Sequence, residues 1–158
     1  MKTLIVGLGN PILGDDGVGW VVAEQVKKHL PAHLPVDVDC LSLGGLSLME
    51  RLIGYERALL VDALICDAED GTIIVSPLDE LPAYSTLHST SAHDMSLQNA
   101  MKLGRQLGAD LPKDVIVIGV SARHIYDFSE KLSPPVMDAV PKAAQIIVEI
   151  LAQKITIH

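Results

Sequence analysis

The chain has 158 residues, 49% of them hydrophobic and only 20% charged, which suits one ordinary domain, residues 1–158, with a sizeable core and no linker. Its formal net charge of −8 argues against a nucleic-acid partner, because such binding draws its affinity from Lys and Arg neutralising phosphates. No apolar run reaches the roughly 20 residues a membrane span requires, and the N-terminal LIVGLG is too short to be a signal peptide, so a cytoplasmic location is expected.

Taken in order, the chain alternates short β-branched runs with amphipathic segments, the pattern of an α/β fold. Thr3 to Val6 reads as the first strand and leads into the turn GLGNPILGDDGVG. From Gly17 onward Val18, Val22, Val26 and Leu30 recur at helical spacing. Val36 to Leu41 is the second strand, and Gly44 and Gly45 form a turn before a second helix. Ala58 to Val61 and Thr72 to Val75 are the next two strands. Residues 76–92, polar and proline-bearing, make a long irregular connection of the kind that often carries function. Leu97, Met101, Gly104 and Leu107 mark another helix face, Val115 to Val120 a fifth strand, and Ile146 and Ile150 a last helix expected to start at Pro141. Cys40 and Cys66 lack C-x-x-C spacing and read as two small buried side chains.

The glycine-rich turn is decided by elimination. A dinucleotide fingerprint needs a third glycine where Ile12 stands, and a phosphate loop needs a lysine, whereas none occurs between Lys2 and Lys27. IVGLGNP also resembles the start of peptidyl-tRNA hydrolases, but their catalytic Thr-Arg-His-Asn segment is replaced here by DDGVGW. What the turn does carry is a pair of acids, Asp15 and Asp16. Taken alone, either reads as a cap on the first helix. Asp62 follows the run ALLV, at the carboxyl end of the third strand, and reads alone as a turn residue. Yet open α/β sheets bind ligands outside the carboxyl ends of their strands, where Asp16 also lies.

The long loop offers His88 and His93. Ser91 with Asp94 resembles a capping box, which places His93 in a first helical turn, where the positive helix end keeps imidazole neutral and able to bind a metal. Asp16, Asp62 and His93 together suit a borderline divalent ion such as nickel or zinc, with coordination positions left open.

The segments GLGNPILGDDGVGWVVAEQV, LSLGGLSLMERL, ALLVDA, SAHDMSL and LSPPVMDAVPKA resemble, in order and over nearly the whole chain, the nickel-iron hydrogenase maturation endopeptidases. The resemblance implies an α/β fold with helices on both faces of a mostly parallel five-stranded sheet, one edge strand being antiparallel. It implies one endoproteolytic cut that removes a C-terminal extension from the hydrogenase large-subunit precursor once nickel has been inserted. It assigns nickel binding to Asp16, Asp62 and His93, the nickel being borne by the substrate rather than tightly held, with zinc or cadmium able to take its place. The segment GVSARHIYDF departs from the family, with Ser121 and Ala122 where many members carry an acidic residue and proline.

No Ser-His-Asp or Cys-His arrangement is visible, so no covalent intermediate is expected. A substrate-held nickel gripped by the three residues would polarise the scissile carbonyl and lower the pKa of a bound water, with Asp15 the nearest further carboxylate to act as base. The residues leave aspartic-type and metal-assisted hydrolysis both open. Two other classes compete: a peptidyl-tRNA hydrolase-like esterase, and a non-enzymatic nickel chaperone using the same ligands.

Overall fold

The computed structural model describes residues 2–82, Leu87 and residues 95–152. Five strands, β1 (Thr3–Leu8), β2 (Val36–Leu41), β3 (Arg57–Leu64), β4 (Ile73–Pro77) and β5 (Asp114–Ser121), form one sheet in the order β2-β1-β3-β5-β4. All pairings are parallel except β4 with β5, so the antiparallel strand lies at an edge, as the resemblance implies. The long helices are α1 (Val18–His29), α2 (Gly45–Leu52), α3 (Leu97–Gln106) and α4 (Pro134–Leu151).

Strand alternation divides the core into two layers. Leu4, Val6, Leu8 and Leu60 pack with Leu48 and Leu52 of α2 and Leu97 and Met101 of α3. Ile5, Leu59 and Val61 pack on the other face with Val18, Val22 and Val26 of α1 and Val136, Val140 and Ile147 of α4. Covered on both sides, β1 is buried at every position and β3 and β5 at all but the first, which is why they read as unbroken apolar runs. The edge strands β2 and β4 are only partly buried, and β2 alternates as VDVDCL.

Four expectations change. The last helix starts at Pro134, behind Ser133, and contains Pro141 in its interior. Pro134 and Pro135 occupy the first turn, where missing amides cost nothing, and Pro141 faces solvent, where water can meet the carbonyl it leaves unbonded. Leu107 is the C-cap residue of α3 and is 77% exposed, so it leaves the core face at the point where the helix ends. Cys40 and Cys66 are free thiols, half-buried rather than interior, because Cys40 lies on edge strand β2 and Cys66 just past the end of β3. Asp62 is a residue of β3 rather than the one after it, since the strand runs two residues further, to Leu64. Among the described residues no helix is long and apolar enough to cross a membrane.

Candidate active site

The chain leaves β1 toward β2 on one side of the sheet and returns through β3 on the other, so the order reverses between β1 and β3. Such a switch point opens a crevice at the carboxyl ends of the strands. The β1–β3 pairing ends at Gly7 with Val61, and Asp62 is the first β3 residue past it. Asp62 shares its face of the strand with Leu60 and Leu64, toward α2 and α3.

Beyond β1 the chain folds back sharply. Gly9 has φ +139, and a β-carbon there would overlap the Asp16 carbonyl oxygen, so only glycine admits this return. The 3-10 turn Gly14–Gly17 then carries Asp15 and Asp16 and packs against β3, bringing Asp16 to the same end of the sheet as Asp62. Helix α1 can start this close because Gly19 has no side chain: a β-carbon would collide with the carbonyl oxygens of Leu8 and Val61.

Neither acid is the N-cap residue of α1, which is Gly17. The Asn10 N–H donates to Asp16 Oδ2 at 3.0 Å, and the Leu87 N–H donates to Asp62 Oδ2 at 2.8 Å. Asp16 is 3% exposed and Asp62 fully buried. Both carboxylates are thus buried and hydrogen-bonded by main-chain amides at the carboxyl end of the strands, where open α/β sheets bind ligands. Asp15 has a different occupation. Its Oδ1 accepts from the Ser133 N–H and its Oδ2 from the Ser133 hydroxyl, both at 2.7 Å, which ties the turn to the start of α4. That favours an anchoring role over the general-base role the sequence suggested.

His88 and His93 lie outside the described residues, as does the capping box at Ser91. Helix α3 itself starts at Leu97, with Ser96 as N-cap accepting from the Asn99 N–H. Among the described residues no group of three or more His, Cys, Asp or Glu is placed to hold a metal. The structure brings Asp16 and Asp62 to one end of the sheet.

Two contributors escaped sequence reasoning. Leu87 acts through its main-chain N–H, with its side chain buried in the core and its backbone at φ +95, a conformation leucine rarely adopts. Ser133 acts on a residue 118 positions away. Main-chain donors leave no signature in a sequence, although the LSPP segment does mark a helix start.

The family described as hydrogenase maturation protease matches residues 20–150, a span that contains Asp62 and His93 and begins after the acidic turn. A putative hydrogenase maturation protease of Methanocaldococcus jannaschii is 35% identical over 148 residues, covering 91% of this chain and 92% of the relative. The hydrogenase expression/formation protein HupD of Thiocapsa roseopersicina is 27% identical over 152 residues, 96% of this chain and 68% of its own length. Among solved structures, the hydrogenase maturating endopeptidase HybD of Escherichia coli shares the fold with a TM-score of 0.79 at 23% identity, covering 98% of this chain and 94% of that one. The [NiFe] hydrogenase maturation protease HybD of Thermococcus kodakarensis gives 0.68 at 26% identity, covering 95% and 99%.

Proposed function

The chain belongs to the hydrogenase maturation protease family, and from that premise we propose that it cuts the C-terminal extension from a nickel-iron hydrogenase large-subunit precursor after nickel has been inserted. It is a hydrolase, and the peptidyl-tRNA hydrolase reading falls away. The observation that carries the site assignment is the pair of buried carboxylates at the β1/β3 switch point, each with one oxygen fixed by a main-chain N–H.

The nickel belongs to the substrate. Asp16 and Asp62, with His93 from the segment before α3, supply two carboxylates and one imidazole, a donor set suited to nickel and incomplete without ligands from the precursor. Zinc or cadmium fits the same donors. Asp16, Asp62 and His93 would hold the substrate's metal beside the scissile peptide, and the chemistry it would supply there is polarisation of the carbonyl and activation of a water, a metal-assisted hydrolysis. Asp16 and Asp62 orient the substrate through the metal, while Asp15 keeps the turn in place through Ser133. The reaction belongs in the cytoplasm and requires neither nucleic acid nor a membrane span.

Substitution of each ligand tests the assignment. Asp16→Asn and Asp62→Asn keep an acceptor for the Asn10 and Leu87 amides, so the fold should survive, and with His93→Ala each should abolish processing of nickel-loaded precursor. Normal cleavage by any two variants overturns the shared site. Retained nickel binding without any cleavage by the wild type would instead mark a nickel chaperone.

A further inference from the structure

The chain contains one Phe, three Tyr and one Trp, yet its only Phe is left in solvent. Phe128 is 87% exposed and Tyr126 75%, and among the described residues only Leu107 is a comparably exposed large hydrophobic, at 77%. Leu107 ends α3, which leads to the start of β5, and so sits at the amino end of the strands. Phe128 and Tyr126 stand on the β5–α4 connection, at the carboxyl end of β5, the end that carries the acids.

This connection is fastened to the acidic turn. The Ser129 N–H donates to the Ile12 carbonyl at 3.0 Å, the Gly14 N–H to the Ser129 carbonyl at 2.7 Å and the Asp15 N–H to the His124 carbonyl at 3.0 Å. The two Ser133 bonds to Asp15 add to these. The aromatic side chains are therefore carried by backbone bonded directly to the turn that holds Asp16, and ordering them on binding costs less than it would on a free loop. Ile12, 49% exposed, lies on the same strap. The apolar surface continues around the crevice: the Ser42 hydroxyl donates to the Gly9 carbonyl, which seats exposed Leu43 beside the turn, and Gly45 abuts the Met95 carbonyl, which brings in exposed Leu46 and Met95.

We propose that Phe128 and Tyr126, with Ile12, form the docking surface for the large-subunit precursor, gripping an apolar patch of its folded body beside the extension to be cut. The proposal rests on the functional reading above. Exposed aromatic residues are characteristic interface anchors, and their continuity with the site assigns them to the protein that the site must engage. This surface supplies affinity for the partner, and the carboxylates act on the bond.

The test compares Phe128→Ala/Tyr126→Ala with wild type and with Leu107→Ala, an equally exposed residue at the opposite end. Each is assayed for processing of nickel-loaded precursor and for direct binding to it. The double variant should fold normally, raise KM and weaken binding about tenfold or more, and keep kcat, while Leu107→Ala behaves as wild type. Cleavage by wild type with unchanged KM in the double variant, or an equal loss in Leu107→Ala, overturns the docking surface alone. Absence of both binding and cleavage by the wild type overturns the functional reading and the docking surface with it.

Discussion

Asp15 separates an anchoring carboxylate from a reacting one, and the structure sets the size of the effect. Asp15 is 1% exposed and accepts two hydrogen bonds of 2.7 Å from Ser133, the N-cap of α4. In Asp15→Asn one acceptor remains for the Ser133 N–H, but the amide group turns a donor toward a hydroxyl that now donates, and the negative charge at the helix start is lost. Hydrogen bonds to charged groups contribute about 1.5–3 kcal/mol and a charge at a helix terminus about 0.3–1 kcal/mol. Part of that is returned by no longer burying a charge, so a net loss of about 2 kcal/mol is expected. With a urea slope of roughly 2 kcal/mol per molar, the unfolding midpoint should fall by about 1 M. Ser133→Ala keeps the main-chain bond and should cost about 1 kcal/mol, and the double variant should lose less than the sum because the two residues share one contact. Urea titrations followed by circular dichroism give the midpoints, and processing of nickel-loaded precursor well below the midpoint gives the activity. Reduced stability with near-normal processing is the expected result. An Asp15→Asn protein as stable as wild type but inactive would refute the anchoring role and make Asp15 the base.

Two further predictions concern other parts of the fold. Pro141 lies inside α4 on its solvent side, so Pro141→Ala restores an amide to the Met137 carbonyl and should raise stability by about 1–2 kcal/mol after allowing for the looser unfolded chain; a lowered urea midpoint would contradict this. Burial, reinforced by Glu24, pushes the Cys40 thiol up to about 11. Because the unfolded thiol ionises first, Cys40 adds nothing to the pH dependence of stability below about pH 9 and opposes folding as pH rises from there toward 11. In a Cys66→Ala background, iodoacetamide at pH 8.5 should label Cys40 roughly 50-fold or more slowly in the folded protein than in urea, and equal rates would show that the thiol is not protected.

The parts of the fold legible in the sequence are those written in local pattern. Thr3–Leu8, Arg57–Leu64 and Asp114–Ser121 are apolar runs because helices cover both of their faces, and Val18, Val22 and Val26 repeat at helical spacing because one side of α1 is buried. Local pattern does not single out the start of α4, because proline is informative at a first turn and Pro134, Pro135 and Pro141 all compete for that position. Asp15 and Asp16 look alike in DDG and differ only in partners from elsewhere: Ser133 across the fold for one, the Asn10 amide for the other. That separation depends on how the β5–α4 connection closes over the turn, which no local window records. Asp62 was legible as an acid ending an apolar run, but its fixing by the amide of Leu87 was not, since every residue except proline offers that donor.

The proposed function makes cleavage depend on nickel carried on the substrate and gripped at the Asp16–Asp62 crevice. The direct measurement is a side-by-side digestion of nickel-loaded and nickel-free large-subunit precursor by the wild-type protein, with free nickel chelated in both. The proposed set of two carboxylates and one imidazole would need the precursor's own ligands to grip the ion, and each 1.4 kcal/mol the metal adds to precursor binding is about a tenfold preference. The loaded precursor should lose its C-terminal extension while the nickel-free precursor stays intact. Equal cleavage of the two would contradict the account and leave a peptidase that reads sequence without reading the metal.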